Sequence, residues 1–215
     1  MFEDLVKLKN KCGKVEASFL ATLGRHLYYR CRQKNIMAGQ RVFIRGLENI
    51  DIQGKALLTV GLAYTGFTGP FDPTWLNIQG KLVFADNFSI AKGCRFDIGQ
   101  GAVVRFGAGY VNANTTFAVM HELTVGTGCA ISWGCEFLDE DFHHLDYPGK
   151  KERANRIEIG DSVWIGANST ILRGSVIPDG CVVAAGSRVS SAFSIKNALI
   201  AGNPARVVKE NVRWK

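Results

Sequence analysis

Between Phe137 and Asp146 the chain reads Phe-Leu-Asp-Glu-Asp-Phe-His-His-Leu-Asp, and six of these ten side chains titrate. Histidine is the side chain best suited to removing a proton near neutral pH. A neighbouring carboxylate can fix its tautomer. Asp139, Asp141 and His143 are spaced by two, so an extended chain would project them to one side and His144 to the other. The chemistry open to this pattern is general-base activation of a hydroxyl or an amine. Either histidine could be the base, and Asp141, Asp139 or a backbone carbonyl could orient it. In isolation the same residues would also suit a polar surface excursion, so the elements around them must decide.

Those elements carry a repeat of six. Ile159, Ile165, Ile171, Ile177, Val183 and Val189 follow one another at that spacing. Four residues after the first five of them come Val163, Ser169, Ser175, Cys181 and Ser187, all small or medium. The same register appears earlier in Val125, Ile131 and Phe137, with Cys129 and Cys135 in the small slots, and more loosely in Phe84, Ile90 and Phe96. A period of six is neither helical nor a plain alternation. It fits a short strand plus a corner, stacked so that coils bury one shared core. Asp161, Asn168 and Asp179 recur where corners should fall, and 24 glycines supply further turns. The step from Phe137 to Ile159 is not a multiple of six, so the polar stretch 139–156 is an insertion.

The run from Ile157 to Leu172, Ile-Glu-Ile-Gly-Asp-Ser-Val-Trp-Ile-Gly-Ala-Asn-Ser-Thr-Ile-Leu, resembles the hexapeptide-repeat acyltransferases, and Ala201-Gly-Asn-Pro-Ala-Arg206 is similar to the segment that closes their helix. The subgroup resembled is the sugar and polysaccharide O-acetyltransferases, near the maltose and galactoside acetyltransferases. The likeness is specific from about Val125 to Val208 and looser before. It implies an all-β fold, a left-handed parallel β-helix with three hexads per triangular coil. It also implies an Asp-x-Asp-x-His segment after a core strand, which His143 matches, so His143 is the expected general base, with Asp141 as its expected partner. The implied reaction moves an acetyl group from acetyl-CoA to a hydroxyl of a sugar or surface polysaccharide, in one ternary complex and without an acyl-enzyme.

The family lays the pantetheine arm along late coils, and this implies CoA contacts at Trp164, Gly166, Ala167, Ala185, Gly186 and Ser187. Arg206 could pair with a CoA phosphate. Solenoid geometry alone would also demand small residues at these places. Trp164 lies between inward Val163 and Ile165, so alternation turns it outward, toward CoA or another subunit. Asn112 and Asn114 offer amides to a sugar acceptor, or they turn corners. Tyr64, Phe67, Phe71 and Trp75 form an aromatic segment that could stack on a sugar or pack on the solenoid. No metal is expected: His26, His121, His143 and His144 do not have the spacing of a three-histidine site, and no cysteine pair has zinc spacing.

Hydrophobic residues make up 47% and charged residues 21%, which excludes a disordered chain, and no apolar stretch is long enough to span a bilayer. The net charge of +7 lies wholly in residues 1–45. There Val15, Phe19, Leu20, Leu23, Leu27 and Tyr28 predict one apolar face of a helix over 15–33. The expected organisation is a basic N-terminal segment (1–45), a β-helix (46–208) and a short tail (209–215). The basic segment either caps the solenoid or touches the inner membrane face or an anionic glycan. No nucleic-acid module is visible. The expected location is the cytoplasm, since Met1 to Lys14 lacks an apolar signal core. Outward Trp133 and Trp164 need cover, and the family's solution is a homotrimer. Two rival functions stay open: an amino-sugar N-acetyltransferase and a non-catalytic β-solenoid scaffold.

Overall fold

The computed structural model describes residues 2–215 except 16, 64, 65, 70, 144, 145 and 150–152. Its body is a stack of triangular coils, each contributing one strand to each of three parallel sheets. Sheet A stacks Ile36–Ala38, Leu58–Val60, Phe88–Ile90, Gly109–Val111, Cys129–Ile131, Trp164–Ile165, Val182–Val183 and Leu199–Gly202. Sheet B stacks Val42–Arg45, Thr74–Ile78, Arg95–Ile98, Thr116–Val119, Glu136–Leu138, Thr170–Leu172 and Arg188–Val189. Sheet C stacks Ile50–Ile52, Lys81–Phe84, Val103–Phe106, Glu122–Val125, Arg156–Ile159 and Val176–Ile177. Coils one to six therefore each run A, B, C. The strand Ala205–Lys209 turns back antiparallel on Leu199–Gly202 and closes the stack.

The six-residue register is the core. Ile159, Ile165, Ile171, Ile177, Val183 and Val189 are all buried, one from each successive face, and so are Val163, Ser169, Ser175, Cys181 and Ser187. Ile165 pairs with Val183, three hexads later. Earlier coils are a few residues longer (Val111 pairs with Ile131), and their inward positions hold phenylalanines. Phe96, Phe117 and Phe137 stack along sheet B with ring centroids 4.4 Å apart. Aromatic faces laid one on the next fill the wider early coils, where six-spaced aliphatics would leave voids.

Two segments leave the coils, both at edges of sheet B. Residues 61–73 leave at the A/B edge of coil two. Residues 139–155 leave at the B/C edge of coil five, one residue short of the expected insertion.

The N-terminal region differs from expectation in three ways. Parallel pairing begins at Ile36, inside the segment read as non-solenoid, because Ile36 and Ala38 already alternate inward against Leu58 and Val60. A helix α1 spans Phe2–Lys14, where no helix was predicted. The second helix, α2, spans Phe19–Cys31 and starts at Ser18, whose hydroxyl caps Ala21 N–H, so Val15 lies before it. Its buried face is Thr22 and Tyr29, whereas Leu20, Leu27 and Tyr28 point outward. Phe19 and Leu23 of the expected face still pack inward, with Val15, on the α1 cluster, so the face is rotated and not lost, and the rotation has a polar cause. Arg25 donates to Val42 O at 2.6 Å and His26 Nδ1 lies 2.7 Å from Ile36 O, and these bonds turn that side of α2 onto coil one.

Candidate active site

The strand Glu136–Leu138 delivers the 139–155 insertion to the B/C edge, and its first residue is spent on structure. Asp139 is fully buried and accepts the N–H groups of Met120, His121 and Glu122 at 2.7, 2.8 and 2.8 Å. Three amides satisfy this carboxylate, and in turn it fixes the corner of the coil beneath. The expected alternation ends soon after. Phe142 has φ 60, a left-handed conformation that a bulky residue adopts only in a forced turn. The segment is therefore not extended through His143, and Asp139, Asp141 and His143 do not share one side.

The limbs of the insertion are clamped from both neighbouring coils. His121, on the B/C edge of coil four, places Nε2 2.7 Å from Glu140 on the outgoing limb and 3.2 Å from Asn155 Nδ2 on the return limb. The hydrogen bond from His121 holds the Glu140 carboxyl below its ordinary range. Arg173, on the same edge of coil six, reaches both limbs as well: Nε pairs with Asp141 at 2.9 Å and Nη1 donates to Asn155 Oδ1 at 2.7 Å. Its side chain is only 14% exposed, whereas Asp141 is open to solvent, so Arg173 is the fixed member of the pair. His143 follows Asp141 by two residues and takes no part in the clamp. It is exposed and makes no hydrogen bond among the described residues, Asp141 included. His144 lies outside the described residues. Below the clamp a cleft of ≈ 400 Å³ opens between coils three and five, lined in part by His121, Asn155 and Arg156.

The residues expected to hold CoA and acceptor follow the A/B edge or the outer face beside it. Trp164 is outward and 40% exposed, as alternation required, with Nε1 donating to Ser132 Oγ at 3.1 Å. Trp214 from the tail lies 6.2 Å from its ring and covers part of it. Ala167, Ala185 and Gly186 form the surface of coils six and seven at this edge. Gly166 is required by packing, since a Cβ there would meet Ala185 N at 2.6 Å. Ser187 is buried, its hydroxyl accepting from Gly202 N–H, so its side chain is withheld from any ligand. Arg206 is exposed and donates to Ala205 O. Asn114 turns a corner at φ 59, with Oδ1 where a Cβ on Gly93 would lie. Asn112 accepts Ala113 N–H at 3.1 Å. Phe67 meets Trp133 edge-on at 5.6 Å, so the aromatic insertion of coil two reaches coil five along this edge. Tyr64 lies outside the described residues.

The core cysteines make poor nucleophiles. Burial raises Cys94 to about 12, and Cys129 and Cys135 to about 11. Among the described residues no group of three or more His, Cys, Asp or Glu could hold a metal ion.

The sequence pattern described as bacterial transferase hexapeptide (six repeats) matches residues 156–191. An uncharacterized 24.8 kDa protein in the cps region of Klebsiella pneumoniae is 36% identical over all of this chain and 97% of its own. The putative lipopolysaccharide biosynthesis O-acetyl transferase WbbJ of Escherichia coli K12 is 29% identical over 64% of this chain and 76% of its own. Among solved structures, AntD, an N-acyltransferase from Bacillus cereus in complex with dTDP and 3-hydroxybutyryl-CoA, superposes with a TM-score of 0.54 at 18% identity, covering 87% of this chain and 88% of its own. The parallel coils, the six-residue core register and these similarities lead to one assignment: the chain belongs to the hexapeptide-repeat transferase family, whose fold is the left-handed parallel β-helix.

Proposed function

We propose that the protein transfers an acetyl group from acetyl-CoA to a hydroxyl of a sugar in a surface polysaccharide or its precursor, with His143 as general base. The observation that carries this reading is the clamped B/C insertion, which holds an exposed imidazole out from an acyltransferase-family β-helix. The acceptor class is supported by relatives named for lipopolysaccharide biosynthesis and for a cps region. His143 takes the hydroxyl proton as the oxygen attacks the thioester carbonyl. A backbone N–H stabilises the tetrahedral oxyanion. The C–S bond then breaks and the thiolate recovers the proton from His143, leaving an ester and free CoA.

The two halves of this site lie on different edges of one prism. The expected CoA contacts follow the A/B edge, and His143 sits at the B/C edge. Both flank sheet B, so a threefold arrangement that brings the A/B edge of one copy to the B/C edge of the next completes the site. A homotrimer with active sites between subunits is the assembly that fits, and it would also cover Trp133. The reaction belongs in the cytoplasm, where acetyl-CoA is made. No helix is long and apolar enough to cross a membrane. The basic α2, with Leu20, Leu27 and Tyr28 outward, supplies a face for peripheral contact with the inner leaflet.

Thiol release from acetyl-CoA, measured with a panel of neutral, acidic and amino sugars, tests the reading. Turnover that falls about 10²-fold or more in His143→Ala supports a base-catalysed transfer. Equal turnover in both proteins removes His143 from the role. Amino sugars as the sole acceptors would make the enzyme an N-acetyltransferase. The absence of both turnover and CoA binding would return the solenoid to a scaffold.

A further inference from the structure

A second polar pocket lies low on the A/B edge, away from the histidine insertion. It occupies ≈ 190 Å³ between the α1–α2 link, the corner of coil one and the returning limb of the 61–73 insertion. Two cations line it, Arg41 from coil one and Lys92 from coil three. Among the described residues neither has an ion-pair partner. Lys92 donates to Val15 O at 3.2 Å and keeps further N–H donors. Asp72, which also lines the pocket, directs Oδ2 to Gly69 N–H at 2.9 Å. Arg41 lies over the ring of Phe71, 4.9 Å from its centroid, and Phe71 is 70% exposed.

The walls are built in advance. Thr74 is buried, its N–H donates to Arg41 O at 2.9 Å, and its hydroxyl accepts Gly93 N–H at 3.1 Å. Those bonds pin the end of the insertion to coils one and three, so the cations converge on a preformed space. Pockets for drug-sized ligands run to about 300–1,000 Å³, so this one suits a single ring. Unpaired cations ask for an anion, and Phe71, exposed although Arg41 lies over one side of its ring, offers apolar surface to the C–H face of a pyranose.

We propose that this pocket is a subsite for an anionic sugar unit of the acceptor glycan, its acidic group held by Arg41 and Lys92 and its ring set against Phe71. The inference rests on the glycan reading above and extends it to a distal unit of the chain. Neighbouring coils are about 4.8 Å apart. Lys92 on coil three is thus roughly 10 Å below Trp133 on coil five, along the same edge and with Asn112 between them. An extended acceptor lying on this edge would meet both.

Saturation-transfer NMR and calorimetry on the full chain, without acetyl-CoA, test the pocket with glucuronic acid, N-acetylneuraminic acid, glucose and inorganic phosphate. The sugar acids are expected to bind and glucose to bind about tenfold more weakly. Arg41→Gln should weaken the acids by about tenfold and leave glucose unchanged. Phe71→Leu should weaken the acids and spare phosphate, while Arg188→Gln, on coil seven, should change nothing. Equal binding of acid and neutral sugars, unchanged affinity in Arg41→Gln, or no binding of either acid overturns the proposal. Phosphate bound through Arg41 while both acids fail also overturns it, by reducing the pocket to an ion site. Because no acyl transfer is involved, this result stands or falls separately from the thiol-release assay.

Discussion

The two edges of sheet B solve opposite problems. Along the A/B edge the upper coils meet through backbone and small side chains: Gly166 leaves room for Ala185 N, Ser187 turns inward, and Asn114 lies over Gly93. Along the B/C edge long polar side chains from the two neighbouring coils meet one insertion, through Glu140–His121, Asp141–Arg173 and Asn155–Arg173. A backbone-lined edge can admit the slender arm of a ligand close to the chain. A side-chain-lined edge can hold a titratable group at a fixed height. On the proposed assignment neither edge by itself has what acyl transfer needs, and the separation of the two is the physical argument for proposing a site shared between copies.

The sharpest test of this contrast sets two histidines of the B/C edge side by side. His143→Ala should lower kcat by about 10²–10⁴-fold, the worth of a general base, with little change in thermal stability, because the ring is exposed and makes no bond among the described residues. His121→Ala should cost far less rate and more stability, since its ring holds Glu140. Equal losses of rate would mean that the clamp and the base are not separable.

Arg173 comes next. Arg173→Met removes both of its bonds to the insertion and should lower kcat by roughly tenfold with little change in the KM for acetyl-CoA, the pattern of a residue that positions another. Arg173→Lys should recover only part of the loss, because a lysine cannot reproduce the fork that reaches Asp141 and Asn155 together. An effect confined to KM would move Arg173 to the ligand site.

On the A/B edge the expected effect has the reverse form. Trp164→Ala should raise the KM for acetyl-CoA by several-fold, up to the tenfold that about 1.4 kcal/mol represents, and leave kcat nearly unchanged. Steady-state kinetics with acetyl-CoA varied separates the cases. A fall in kcat without a change in KM would place Trp164 at the subunit interface rather than along the cofactor.

The contrast between edges also explains what could be read from the sequence. The late coils were legible because nothing interrupts their hexads, and every six-spaced aliphatic from Ile159 to Val189 is buried as its spacing required. The first two coils were obscured by longer corners and a mixed core. α2 was placed by its apolar spacing, and Phe19 and Leu23 do pack inward, but the polar bonds of Arg25 and His26 rotate the face so that Leu20, Leu27 and Tyr28 are left outside. At the site, residue types were legible and partners were not. Asp141 was read against its near neighbour His143, yet it pairs with Arg173 from the next coil. His121 was passed over although it lies one coil below Glu140. The missing signal was coil register: counting back from the Val125 to Ile159 pairing, which bridges the insertion, would have set His121 beside the limbs of the insertion.

The smallest expected effect is a pH dependence of the clamp. The hydrogen bond from His121 lowers the pKa of Glu140 in the folded protein. A carboxyl depressed on folding adds stability that is present above its unfolded value and is lost as pH falls through the folded one. The contribution should therefore be intact at neutral pH and vanish on acidification through the carboxylate range. Glu140 is near the surface, so solvent screens the pair and its worth stays below about 1 kcal/mol. Thermal melts across that range should show wild type and Glu140→Gln converging at the acid end and parting toward neutrality, with wild type the more stable. Curves that stay parallel throughout would mean that the insertion is held by Asp139 and Arg173 alone. His121 would then be a bystander at an edge whose order comes from the buried carboxylate.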